Sequence, residues 1–275
     1  MRRLWHVLLL GVLVFTFPVS AFAASEGVTG ITTDELRLRK DMWGPVLDVV
    51  DPDTPVQIYA RSWAKDGTMW YYVGDDSGRA GWVFSTFVQT EPLYTHTVGL
   101  QVGHWRREEA SYPFSAASGS SGGGYTEAEV NLITAESVAR HLSARGVQVD
   151  LLPTVIPKGY KADAVVAIHA DGGPSSRRGF FVDQPARSVV STLETQLSKS
   201  IVNEYSAAVA IPYVYRGTPN SQYYYGYYDV AASTPMVLIE TGFLSNAEDR
   251  AILTEQSEST GAAIAEGITK FLNSR

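Results

Sequence analysis

Ala164-Val165-Val166-Ala167-Ile168-His169 is an unbroken apolar run that ends on a histidine. A run of that length, with no polar alternation, reads as a strand buried on both faces, as in a parallel sheet. Two more stretches share its grammar. Val98-Gly99-Leu100-Gln101-Val102 leads into Gly103-His104, and Met236-Val237-Leu238-Ile239 leads into Glu240. A fourth strand is expected over Val147 to Leu152. Helical patterns fall between and after them, over about Glu127 to Ala144, Val189 to Ala207, Asn246 to Leu253 and Glu258 to Leu272. Gly146 sits where the first of these helices should stop. Strands alternating with helices predict an α/β domain with a twisted, mostly parallel sheet flanked by helices.

In open sheets of this kind ligands bind beyond the carboxyl ends of the strands. His104, His169 and Glu240 all stand at such ends, and a helix that follows such a strand begins on the same edge. Glu127 is at one of these helix starts. Its neighbour Glu129 has a simpler role, because Thr126 as N-cap makes Glu129 the third residue of a capping box, with Tyr125 and Val130 as a hydrophobic staple. Residues two apart on a helix point to different sides, so one of the two glutamates faces the crevice, and Glu127 is the candidate. Two histidines and a carboxylate around an open position form the ligand set of a catalytic zinc site. His96, ahead of the first strand, and His141, on the first long helix, are expected at the surface.

Outward from this core, the amino-terminal part has a different grammar. From about Gly27 to Thr90, short runs rich in Val, Ile, Tyr and Trp are separated by turn clusters such as Asp51-Pro52-Asp53-Thr54-Pro55 and Asp75-Asp76-Ser77-Gly78. Leu36 with Leu38, and Val56, Ile58 with Ala60, alternate as half-buried strands do, which predicts a small all-β barrel or sandwich. Trp70 and Trp82 are expected in its core. Ahead of it, Arg2-Arg3, an apolar run from Leu4 to Phe17 and Ala21-Phe22-Ala23 have the order of a secretory signal cleaved after Ala23. The run is broken by His6, Gly11 and Pro18 and is shorter than the roughly 20 apolar residues of a membrane span, so no span is expected in the mature chain.

Composition narrows the chemistry. The chain of 275 residues carries no cysteine, so metal ligands must come from His, Asp or Glu. Its formal charge of −7 disfavours nucleic acid as a partner. Ser111 to Gly124 is a Ser/Gly-rich loop of the kind that is mobile or functional. Seven tyrosines lie between Tyr213 and Tyr228, with Arg216 among them; a packed, partly exposed hairpin is the expectation, and a sugar-stacking groove the alternative.

Gly103-His104, Glu127-Ala128-Glu129-Val130-Asn131-Leu132, Ala167-Ile168-His169-Ala170 and above all Pro235 to Asn246, PMVLIETGFLSN, resemble the zinc-dependent N-acetylmuramoyl-L-alanine amidases of the Amidase_3 family, over residues 97–275. The resemblance implies zinc held by His104, Glu127 and His169, and Glu240 as the catalytic acid. It implies hydrolysis, by zinc-activated water, of the amide between N-acetylmuramic acid and L-alanine in peptidoglycan. Residues 1–23 would be a signal and the protein secreted, extracellular or wall-associated. The chain departs from the family's pattern where Gln101 stands near a customary Asp and Trp105-Arg106 replace two glycines. Trp70-Tyr71-Tyr72-Val73 and Gly78-Arg79-Ala80-Gly81-Trp82-Val83 resemble the end of a bacterial SH3 domain, which implies an SH3-like module over residues 27–92 that binds wall or peptide. Two rival readings of the same residues are a zinc peptidase of the stem peptide and a catalytically inactive wall-binding protein.

Overall fold

The computed structural model describes residues 27–90, 94–214 and 219–275. The expected signal segment, with Tyr215 and Arg216 of the tyrosine cluster, lies outside them. The amino-terminal strands are β1 (Thr29–Thr32), β2 (Leu36–Arg39), β3 (Val46–Val50), β4 (Pro55–Trp63), β5 (Met69–Gly74), β6 (Ala80–Phe84) and β7 (Val88–Thr90). Every pairing among them is antiparallel. The expected alternation holds: Leu36, Leu38, Val56, Ile58 and Ala60 are buried, with more exposed residues between them.

The later half contributes β8 (His96–Val102), β9 (Ser121–Gly122), β10 (Tyr125–Thr126), β11 (Val147–Leu152), β12 (Ala164–Asp171), β13 (Phe181–Asp183) and β14 (Met236–Phe243). Its helices are α1 (Glu127–Ser143), α2 (Ser191–Ala208), the single turn α3 (Pro219–Gln222), α4 (Ala247–Glu255) and α5 (Ser257–Asn273). Strands β11, β8, β12 and β14 run parallel, in that spatial order. The short antiparallel edge strand β13 pairs with β14. Its three residues carry no periodicity, and the sequence gives no sign of it. Thr126 and Glu129 form the reciprocal capping box at the start of α1, and Gly146 has the positive φ of a helix stop.

The two halves form one sheet. Strand β4 bridges in parallel to β11 through Arg61 and Asp150, giving the order β13-β14-β12-β8-β11-β4-β5-β6-β2-β3. Arg61 Nε donates to Asp150 Oδ1 at 2.6 Å, and the buried Ser62 hydroxyl donates to the Leu151 carbonyl at 2.7 Å. Met42, Tyr72, Trp70 and Trp82 from the first half share a hydrophobic core with Leu100, Val102, Trp105 and Leu151 from the second. Trp82 stacks on Trp105 at 6.1 Å between ring centroids. Both Trp70 and Trp82 are fully buried, but in this shared core and not, as expected, in a core of the amino-terminal strands alone.

Side chains along a strand alternate between faces, and that sorts the later half of the sheet. Val98, Leu100, Val102, Val166, Ile168, Val237 and Ile239 pack with apolar residues of α1, α2 and α5. Val165, Ala167 and Leu238 face the other way, onto Tyr224, with Tyr225, Tyr227 and Tyr160 packed around them. By the same alternation Gln101, His169 and Glu240 belong to this second face. The tyrosine-rich segment is thus no hairpin among the described residues. It is the turn α3 followed by a 3-10 turn over Tyr225–Tyr228, and it covers a sheet face on which no long helix packs among the described residues.

Candidate metal centre

Strand pairing brings the candidate residues together. Gly103 donates to the Ile168 carbonyl, which sets the end of β8 against the end of β12. His169 on β12 is paired in register with Glu240 on β14, so their side chains leave the sheet side by side on one face. The β12–β14 register shifts just after this pair, between His169 and Asp171. Such irregularities re-aim side chains beside functional sites. His104 has a left-handed backbone, φ 63°. The glycine before it is required sterically, because a Cβ on Gly103 would sit 2.5 Å from the His169 ring.

His104, Glu127 and His169 form a cluster in which one ligand atom from each lies within 4.8 Å of the others. His169 Nδ1 is 3.0 Å and His104 Nε2 3.5 Å from Glu127 Oε1. The far nitrogen of each ring is already occupied. His104 Nδ1 meets the Ala117 carbonyl at 2.8 Å, and His169 Nε2 meets the Tyr224 hydroxyl at 3.2 Å. Each histidine therefore turns one nitrogen toward the carboxylate and ties the other to an oxygen, the arrangement that orients metal-binding imidazoles. Glu127 is held as firmly. Its Oε2 accepts from Ser120 N at 2.6 Å, while Oε1 lies within reach of Asn131 Nδ2 and Ala170 N. Burial pushes the Glu127 carboxyl up, but the His169 hydrogen bond, the charges of both histidines and the Ser120 amide outweigh it and hold it at about 2. An ionised carboxylate beside two oriented imidazoles fits a divalent cation such as zinc by donor chemistry.

Glu240 has the opposite electrostatics. Burial, followed by repulsion from Glu127, Asp171 and Asp183, raises its carboxyl well above the ordinary carboxylate range, and its buried Oε2 has no hydrogen-bond partner among the described residues. One carboxyl held low and a neighbour whose proton affinity is raised is the pairing from which acid and base roles are read. Glu129 faces away, bonded to Thr126 in the capping box. His96 lies beside Asp163 and His141 beside Glu258, so neither joins the cluster, although both are partly buried rather than fully at the surface.

Three contributors were not visible in the sequence. The Ser/Gly-rich loop reaches into the site through backbone groups, the Ala117 carbonyl and the Ser120 amide. Backbone groups leave no residue signature; the one available hint was Gly119, where a Cβ would lie 2.6 Å from Glu127 Oε2 and 2.7 Å from the His104 ring. Tyr224 is the third, a buried residue inside a cluster read as surface-packed.

A profile of the family described as N-acetylmuramoyl-L-alanine amidase, Amidase_3, matches residues 98–270. Among curated proteins, N-acetylmuramoyl-L-alanine amidase Rv3717 of Mycobacterium tuberculosis is 29% identical over 126 residues, which is 41% of this chain and 49% of that protein. The chain thus matches only about half the length of that relative. Among solved structures, the amidase Ami1 from Mycobacterium smegmatis aligns with a TM-score of 0.53 at 25% identity, covering 67% of this chain and all of that one. The CwlD amidase from Clostridioides difficile shares the fold, with a TM-score of 0.50 at 22% identity over 66% of this chain and 100% of the other. By a family match over residues 98–270, which takes in His104, Glu127, His169 and Glu240, this chain belongs to the Amidase_3 family of N-acetylmuramoyl-L-alanine amidases.

Proposed function

We propose that the protein is a secreted, zinc-dependent peptidoglycan amidase that cleaves the bond between N-acetylmuramic acid and the L-alanine of the stem peptide. The observation that carries this reading is the His104, Glu127 and His169 cluster with Glu240 one strand away and in register with His169. His104 through Nε2, His169 through Nδ1 and Glu127 through its carboxylate would hold the ion. Zinc there would supply Lewis-acid polarisation of the scissile carbonyl and a water acidic enough to attack near neutral pH. Glu240 takes the proton of the attacking water and delivers it to the departing alanine nitrogen. Its Oε2, without a partner among the described residues, and its raised proton affinity suit that exchange. The reading keeps residues 1–23 as the export signal and residues 27–92 as an SH3-like module.

The test is digestion of purified peptidoglycan by the mature protein, with zinc and then with a chelator, reading the released fragments by mass spectrometry. Intact stem peptides beginning with free L-alanine, and lost under chelation, are the expected products. Shorter peptides would show a stem peptidase instead, and tight wall binding without release an inactive module.

A further inference from the structure

Behind His169 lies a short chain of buried polar groups whose protons can be assigned one by one. Gln101 is fully buried. Its side-chain nitrogen lies 3.1 Å from the Thr154 carbonyl and 3.4 Å from the Val102 carbonyl. Two carbonyls accept and never donate, so the Gln101 amide must turn its NH2 toward them. Its Oε1 then faces the Tyr224 hydroxyl, 3.0 Å away, and can only accept. The single Tyr224 proton goes to Gln101, and Tyr224 has only lone pairs to offer His169 Nε2 at 3.2 Å. Tyr225 reinforces the assignment. Its hydroxyl gives its own proton to the Thr154 carbonyl at 2.6 Å and stands 3.1 Å from Tyr224 as a second acceptor.

We propose that Gln101 and Tyr224 are positioning residues that fix His169 as a donor at Nε2 and thereby leave Nδ1, the nitrogen that faces Glu127, as the one that binds the metal. The proposal rests on the metal-site reading above. It also gives a role to the glutamine that departs from the family's pattern: with its nitrogen committed to two carbonyls, it is an acceptor of fixed direction. If the Tyr224 proton were instead given to His169, the buried Gln101 oxygen would lose its donor and Nε2 would have to surrender its hydrogen.

The experiment measures zinc affinity by competition with a chromogenic chelator. Exchange of the His169 Nε2 proton in the zinc-loaded protein is followed by 15N NMR, and thermal unfolding of the metal-free protein serves as control. The wild type should bind one zinc with a slowly exchanging Nε2 proton. Tyr224→Phe, which keeps the ring and removes the acceptor, should weaken zinc about 10- to 100-fold, the usual scale for an outer-shell partner of a metal histidine, and should speed the exchange. Gln101→Met alone should change affinity less than about 3-fold, because the Tyr225 oxygen can take the Tyr224 proton. Gln101→Met combined with Tyr225→Phe removes both acceptors and should match Tyr224→Phe, and this pair carries the test if Tyr224→Phe does not fold. Zinc affinity and exchange unchanged in Tyr224→Phe, or in the double variant, would overturn the relay while leaving the metal site intact. A wild type that binds no zinc would overturn the metal-site reading, and the relay with it.

Discussion

The two halves of the molecule use one sheet for different ends. Within the first half every pairing is antiparallel, and none of the four candidate site residues lies there. In the second half β11, β8, β12 and β14 run parallel, and His104 follows the end of β8 while His169 and Glu240 lie in the carboxyl-terminal halves of β12 and β14. The contrast in grammar suggests two independent units, yet the seam between them is built like an interior. Ser62 is fully buried at it, Trp82 and Trp105 stack across it, and Arg106, two residues past His104, reaches back to the Ser62 hydroxyl at 3.3 Å. A module that merely recruits substrate needs no such junction. The difference teaches that a composition boundary marks a change of connection rule, while the core is free to ignore it.

The severest way to break the comparison is to produce residues 97–275 alone. Without Tyr72 and Trp82 the surface under Trp105 and α1 loses its cover, and no cooperative thermal transition is expected by calorimetry. A sharp transition at the full-length temperature would show that the seam contributes little. Glu240→Gln tests the second half by itself. Turnover should fall about 10²- to 10⁴-fold with zinc content, read by metal analysis, unchanged. Trp82→Ala should do the reverse, costing about 3 to 5 kcal/mol in denaturant unfolding while zinc-loaded protein that remains folded keeps its turnover. The smallest effect concerns Glu136 on α1, where it meets Tyr72 of the first half. Burial, only partly offset by Arg140 and the Tyr72 hydrogen bond and helped by Asp41, raises its carboxyl from 4.5 to about 7. The folded state therefore binds this proton more tightly than the unfolded one. Its stabilising share is complete below about pH 4.5 and is lost as pH rises through about 7. Glu136→Gln should remove that slope and stabilise the protein at pH 8 by about 1 to 3 kcal/mol, as read from urea midpoints across the range.

Much of the fold was legible because burial on both faces leaves apolar runs that no surface element would carry. The runs at Val98, Val147, Ala164 and Met236 are all strands of the parallel sheet. The candidate ligands were legible for a related reason: a polar residue that ends such a run has to face the crevice edge. What was hidden depends on contacts distant in sequence. Nothing in the β4 residues Arg61 and Ser62 announces a partner near Asp150, since a half-buried strand looks alike whether or not another strand docks beside it. Tyr224 could not be told from its neighbours Tyr223 and Tyr228, which are exposed, because irregular segments have no period from which to read a face. The Ala117 and Ser120 contributions are backbone groups, indifferent to the side chains that would reveal them.

Hereditary change meets this architecture unevenly. The spacing of His169 and Glu240 is set by hydrogen bonds between two strands, with no loop in between to absorb slack. Gaining or losing one codon inside β14 ahead of Glu240 would swing that carboxylate through the sheet to the helix-covered side, because strand side chains alternate. The same event between Gly173 and Arg177, in the connection that follows β12, would merely lengthen or shorten a bend. A lineage carrying this fold can therefore drift in the letters of its strands but not in their count, and its record of insertions should be written almost wholly in the turns.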